Sequence, residues 1–82
     1  MNFERAINEA SIELKKNNIK THLLDSEILM SEVINKDREF VILNLDKDLK
    51  KNNYNQFKKL IDERSKGKPI AYITGKKYFW KY

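Results

Sequence analysis

The sequence predicts a single all-α domain, a small bundle of about five helices over residues 1–75. Apolar residues recur at three- and four-residue steps through most of this range, as they do on one face of an α-helix. Asparagine, glycine and proline interrupt the pattern and divide it into short helical segments. One segment, residues 41–43, resembles a strand in composition, but no second alternating segment is present to pair with it.

The first helix is predicted to begin after Asn2 and to end at Asn17 and Asn18. The Asn2 side chain can accept a hydrogen bond from a free N–H of the first turn. Asparagine tolerates the left-handed conformation that closes a helix, so the two later asparagines can end it. The apolar residues at helical spacing are Phe3, Ala6, Ile7, Ala10 and Leu14.

The second helix is predicted to form the centre of the fold. Thr21 can cap it, and its pattern continues to about Ile34. A helix that is apolar nearly all round is a buried one. Asp25 and Glu32 share a face and are expected on its wetter side. The apolar residues that cover most of its circumference are Leu23, Leu24, Ile28, Leu29, Met30, Val33 and Ile34.

Three further helices are predicted to follow, and the third is a short one of two turns that carries Phe40, Val41, Leu43 and Leu45. Asp37 can cap the third, and a polar loop without periodicity is expected over residues 46–53. The fourth helix carries Tyr54, Phe57, Leu60, Ile61 and Arg64 at helical spacing. Gly67 is its expected C-terminal glycine. Pro69 suits the first turn of a fifth helix, because it lacks only an N–H that would be unpaired there, and Gly75 is expected to end that helix. The expected core includes Leu24, Ile28, Phe57, Ile61 and Ile70.

The last residues, 76–82, differ in character from the rest. They contain four of the nine aromatic residues of the chain: Tyr78, Phe79, Trp80 and Tyr82. Domain termini are usually polar and frayed, so a dense aromatic tail predicts a missing surface to pack on. Residues 76–82 are therefore expected to start a linker or an interdomain strand, with these four side chains as contacts to another domain or partner.

The net charge of +5 is unevenly distributed. Residues 1–41 contain six Lys/Arg and eight Asp/Glu, whereas residues 42–82 contain eleven Lys/Arg and four Asp/Glu. The basic half is consistent with an acidic partner. The explanation that the composition favours is coding bias, because Lys, Asn and Ile supply 32 of the 82 residues, as AT-rich genes produce. Both interpretations remain open.

The residues that carry catalysis are missing from the sequence. Without cysteine there is no disulfide, thiolate metal ligand or thiol nucleophile. His22 is the single histidine and has no second histidine or serine motif to work with. The two glycines are too far apart to form a phosphate-binding loop. Asp62 and Glu63 are adjacent and point about 100° apart on a helix, which indicates solvated charges. No catalytic, cofactor or metal site is therefore expected within these residues.

Composition also bears on location and partners. No apolar run approaches the roughly 18 residues of a membrane span, and Glu4 precedes any apolar stretch, unlike a signal peptide. We expect a cytoplasmic, monomeric protein with no membrane partner. Nucleic acid is a poor fit, because the basic residues are scattered lysines rather than side chains that project together toward base edges.

Two parts of the sequence carry recognisable motifs. Residues 24–30 read Leu-Asp-Ser-Glu-Ile-Leu-Met, residues 64–75 read Arg-Ser-Lys-Gly-Lys-Pro-Ile-Ala-Tyr-Ile-Thr-Gly, and residues 76–80 read Lys-Lys-Tyr-Phe-Trp. They resemble, in this order, the segments LDAEILL, RRxxGEPIAYITG and xxEFWG of the HemK/PrmC family, the enzymes that methylate the glutamine of the GGQ motif in peptide chain release factors. Lys68 and Tyr78 stand where the family often has glutamate.

The resemblance implies the helical N-terminal domain of such an enzyme, which helps to bind or orient the release factor and is not catalytic by itself. It implies no cofactor in this chain and S-adenosylmethionine in the full-length parent, whose glycine-rich loop and Asn-Pro-Pro-Tyr motif would follow Tyr82. The implied partners are the release factor and the protein's own methyltransferase domain. The alternative is a free-standing basic helical module that binds nucleic acid or another protein.

The motif residues also have structural interpretations. Gly67 and Gly75 are expected to end helices, Pro69 to start one, and Arg64 to pair with a carboxylate of the second helix, either Glu27 or Asp25. The residues expected to have such structural roles are Asp25, Glu27, Arg64, Gly67, Pro69 and Gly75.

Overall fold

A computed structural model, which describes residues 1–75, contains five α-helices. They are α1 (Phe3–Lys16), α2 (His22–Ile34), α3 (Arg38–Leu43), α4 (Lys51–Ser65) and α5 (Ile70–Thr74). Within the described residues, β pairing is limited to one isolated antiparallel bridge between Asn2 and Asp48. The prediction of an all-α bundle of five helices is confirmed. The expected strand beginning at residue 76 lies outside the described residues.

Short polar side chains set several helix ends. The side chains of Asn2 and Asp37 accept hydrogen bonds from the backbone N–H three residues further on, at 2.9 and 2.8 Å, and so cap α1 and α3 as predicted. Asn18 follows α1 in the left-handed conformation, with φ 65°. Thr21 precedes α2 but makes no capping bond with its side chain. Its hydroxyl instead donates to Asp25 Oδ2 at 2.9 Å.

The core is built around α2, which packs against each of the other four helices, as its apolar circumference predicted. Ile28, Phe57 and Ile61 are buried as expected. Leu24 and Ile70 are only half-buried, so solvent reaches part of the first turn of α2 and of α5. The buried apolar residues are Phe3, Ala6, Ile7, Ala10, Leu14, Ile28, Leu29, Met30, Val33, Val41, Leu49, Phe57 and Ile61.

The loop between α3 and α4 begins and ends earlier than predicted, because α3 ends at Leu43 and α4 begins at Lys51 rather than near Tyr54. The segment before α4 is held against the start of α1. The Leu49 N–H donates to the Met1 carbonyl at 2.8 Å, and the Phe3 N–H donates to the Lys47 carbonyl at 2.9 Å. These contacts between distant parts of the chain fix the start of α4, where the polar first turn has no apolar periodicity.

The expectation that Asp25 lies on a wet face of α2 is wrong. Asp25 is 4% exposed, and Glu32, which shares its face, is half-buried. The physical reason is that α4 packs against α2 and brings Arg64 onto the Asp25 carboxylate, which shields it from water. Such a carboxylate requires a partner, because an unpaired buried charge is costly.

Candidate functional site

A buried ion pair joins the two sequence motifs. Arg64 Nε donates to Asp25 Oδ2 at 2.9 Å, and the two side chains are 20% and 6% exposed. The same carboxylate oxygen accepts the Thr21 hydroxyl. Arg64 also donates through Nη1 to the Lys68 carbonyl at 3.1 Å. One arginine thus connects α2, α4 and the turn that leads into α5, and of the two carboxylates expected to meet it, the structure selects Asp25.

Glu27, the other candidate partner, is engaged by a different cation. Its Oε1 accepts a hydrogen bond from Arg38 Nε at 2.9 Å, which links α2 to α3. The side chain of Arg38 is 43% exposed, so solvent screens this pair. The ion pair between Glu27 and Arg38 is therefore expected to stabilise the fold less than the ion pair between Asp25 and Arg64.

The turn between α4 and α5 depends on an unusual backbone conformation. Gly67 has φ +97°, and its N–H donates to the Arg64 carbonyl at 2.9 Å. Pro69 immediately precedes α5 with φ −62°, where its missing N–H costs no helical hydrogen bond. Gly75 follows α5 with φ 70°. The position of α5 therefore depends on the backbone geometry of this turn as well as on the hydrogen bond from Arg64 to the Lys68 carbonyl.

We expect Gly67→Ala to lower the free energy of unfolding by about 1 to 2 kcal/mol, because an L-residue is strained at positive φ. A Cβ built at Gly67 meets no atom within 4 Å, so the cost is one of backbone conformation alone. Urea denaturation measures it, with Lys66→Ala at the neighbouring exposed position as the control. A Gly67→Ala protein as stable as the control would show that this conformation does not require glycine.

A groove of about 390 Å³ lies between α1 and α4. Its floor is apolar and includes Ala6 and Ala10 of α1, with Phe57 and Ile61 of α4. The two alanines are one turn apart, so both lie on the side of α1 that lines the groove. Their small side chains leave the space between the helices unfilled. The remaining lining residues are Glu9, Glu13, Tyr54, Lys58 and Asp62.

The rim of this groove is acidic. Glu9 and Glu13 lie one turn apart on α1, and Asp62 lies on α4. The Tyr54 hydroxyl donates to Glu9 Oε1 at 2.9 Å. This hydrogen bond to Glu9, with a contribution from burial, raises the pKa of Tyr54, because ionisation would remove the donated proton beside a carboxylate. No ion pair formed within residues 1–75 engages Glu9 or Glu13.

A serine and a histidine meet between α1 and α2. Ser11 Oγ lies 2.7 Å from His22 Nδ1, a pair that the sequence did not reveal because the two residues are on different helices. Ser11 is only 9% exposed, so its hydroxyl is poorly placed to reach a substrate, and the pair serves to join the helices. Within residues 1–75, no group of three or more His, Cys, Asp or Glu side chains could hold a metal ion.

Two further predictions from the sequence concern contacts made by the aromatic tail and the absence of a membrane span. The expected contacts to another domain or partner, Tyr78, Phe79, Trp80 and Tyr82, lie outside the described residues. Among helices of the described part of the chain, none combines the length and apolar character needed to cross a membrane.

Comparison with known proteins points to one family. Residues 5–75 match the family model described as the PrmC N-terminal domain. A bifunctional methyltransferase of Rickettsia felis is 38% identical over 78 residues, which are 95% of this chain and 15% of that protein. A release factor glutamine methyltransferase of Clostridium acetobutylicum is 38% identical over 76 residues, 93% of this chain and 27% of that protein. A release factor glutamine methyltransferase of Buchnera aphidicola is 46% identical over 56 residues, which are 68% of this chain and 20% of that protein.

The chain therefore spans only the smaller part of the length of these curated relatives. No solved structure gives a significant match.

Proposed function

Because this chain belongs to the PrmC N-terminal domain family, we propose that it is the docking domain of a release factor glutamine methyltransferase. In this proposal the domain helps to bind or orient a peptide chain release factor and does not itself transfer a methyl group. The match over residues 5–75, together with relatives that bear this enzyme's name, is the observation that carries the proposal.

The proposed enzyme uses S-adenosylmethionine in a separate methyltransferase domain. An enzyme that must select one glutamine of a large protein gains from a second contact far from the reacting atom. Such a contact supplies binding energy and fixes orientation, which lowers the entropic cost of reaching the transition state. Tethering makes the second contact effectively intramolecular. Because release factors act in translation, the proposed enzyme is cytoplasmic.

The motif residues have a positioning role in this proposal. Asp25 and Arg64 fix the turn after α4, and Gly75 marks the end of α5. The direction in which the chain leaves α5 sets how a following domain would be attached. We propose that the aromatic residues after it, Tyr78, Phe79, Trp80 and Tyr82, contact the methyltransferase domain.

The proposal predicts that the 82-residue chain binds a release factor saturably and does not bind S-adenosylmethionine. The affinity for the release factor should be weak, with Kd in the micromolar range or above, because the isolated domain lacks the tethered second contact. Isothermal titration calorimetry measures both. The control is the Phe57→Ala variant, which is expected to be strongly destabilised. Any binding that this variant retains does not depend on the folded surface.

Two results would contradict the proposal. Saturable binding of S-adenosylmethionine at micromolar concentration would place cofactor chemistry in this domain. Absence of any release factor binding by the folded wild-type chain would remove the docking role.

A further inference from the structure

We propose that the groove between α1 and α4 receives a basic side chain, a lysine or an arginine, from an exposed segment of a partner protein. The inference rests on the proposed function and deepens it, since the release factor is then the protein that supplies this segment.

The shape of the groove fits a long side chain with an apolar stem. Lysine and arginine lay their methylene groups along apolar surface while the charged end stays among polar groups. The floor formed by Ala10, Phe57 and Ile61 offers such a surface, and the volume of about 390 Å³ lies within the range of small-ligand clefts.

The negative charges on the rim favour an occupant with a positive charge. Glu9 and Glu13 are like charges at a spacing of four residues on one helix, an arrangement that destabilises an isolated helix. A cation placed between them would relieve this repulsion, and Asp62 offers a third carboxylate on α4. Asp62 forms an exposed ion pair with Lys66, which solvent screens and an incoming cation can replace.

Part of the rim is already positioned to receive a cation. The Tyr54 hydroxyl holds the Glu9 carboxylate at 2.9 Å, which reduces the ordering required when a partner binds. Lys58 also lines the groove, but its ammonium group lies over the Tyr54 ring, 5.4 Å from the centroid. The Lys58 ammonium keeps its positive charge there and offsets one of the three rim carboxylates, so the rim as a whole remains negative.

The net charge of the whole chain further limits the kind of partner that can bind. The chain carries a net charge of +5, so a broadly basic surface would be repelled by most of it. A short basic segment that reaches the acidic groove avoids this repulsion. The groove therefore favours a single projecting cationic side chain over a broadly basic surface, and complementarity of this kind contributes to specificity.

The test compares two double variants of the 82-residue chain that remove the same charge. Glu9→Gln with Glu13→Gln neutralises the rim, and glutamine can still accept the Tyr54 hydrogen bond. Glu39→Gln with Asp46→Asn neutralises two exposed carboxylates outside the groove lining. Circular dichroism melting curves establish that both variants fold. Binding of the release factor is then measured by calorimetry at low and at moderate salt.

We expect the rim variant to weaken binding about tenfold or more at low salt and the control variant less than about twofold. The difference should shrink as salt is raised, because exposed charges are screened. If the wild type binds and the rim variant binds equally well, the groove is not the site, although the docking function stands. If the folded wild type does not bind, both proposals are overturned.

A second copy of this chain, with its basic second half, is the competing occupant. Analytical ultracentrifugation tests it. A salt-sensitive dimer that disappears in the Glu9→Gln, Glu13→Gln variant but persists in the control would assign the groove to self-association and overturn the proposal. A monomer at all concentrations, together with the loss of release factor binding in the rim variant, supports it.

Discussion

Asp25→Ala is expected to lower the free energy of unfolding by about 2 to 3 kcal/mol, less than for a fully buried ion pair, because Arg64 keeps some contact with solvent. The substitution leaves Arg64, whose side chain is 20% exposed, without its carboxylate, and it removes the acceptor of the Thr21 hydroxyl. A domain of 82 residues has a total stability of roughly 4 to 12 kcal/mol. The loss should therefore unfold a large fraction of the protein at moderate urea concentrations.

Glu27→Ala is the matched control for this substitution. It removes a carboxylate from the same helix, but the partner, Arg38, is 43% exposed, so the expected cost is no more than about 1 kcal/mol. Urea denaturation followed by circular dichroism compares the two. A second variant, Asp25→Leu with Arg64→Met, should recover much of the loss, because it removes both charges together. Equal costs for Asp25→Ala and Glu27→Ala would show that the buried pair does not hold the turn after α4.

Phe57→Ala is expected to cost about 3 to 5 kcal/mol, as do other truncations of buried aromatic residues. Phe57 is 1% exposed and lies between α1 and α4, where it also forms part of the groove floor. Truncation removes its buried area and leaves a cavity that the helix backbones cannot readily close. The effect should appear as a large drop in the urea midpoint.

Tyr72→Ala provides the control, because it truncates an aromatic ring that is 75% exposed on α5. The change in stability should stay within about 0.5 kcal/mol. If Phe57→Ala costs less than about 1 kcal/mol, α1 and α4 must close over the missing ring. The groove described above would then be a compressible gap rather than a preformed site.

Most of the helical architecture could be predicted from the sequence, since helix formation depends on residues close together in the chain. Asn2 and Asp37 cap helices through N–H groups three residues away. Gly67 and Gly75 mark ends because they adopt positive φ without a Cβ penalty. The central position of α2 was also predictable, because apolar residues that cover most of its circumference leave little of it for water.

The candidate site was less predictable. The motif resemblance identified Asp25, Glu27 and Arg64 as structural residues but left the partner of Arg64 open. The groove between α1 and α4 gave no separate signal, since Ala6 and Ala10 belong to the same periodic pattern as the larger core residues. A groove arises only where small side chains of one helix face another helix across the bundle.

What the sequence by itself determined is the number of helices, most of their ends and the identity of the buried helix. The tertiary structure alone decided that Asp25 is covered, that α4 starts at Lys51, and that Glu9 and Asp62 share a groove. The physical reason is the range of the interactions. Caps and helical spacing act over three or four residues, whereas the burial of a carboxylate depends on which distant helix packs over it.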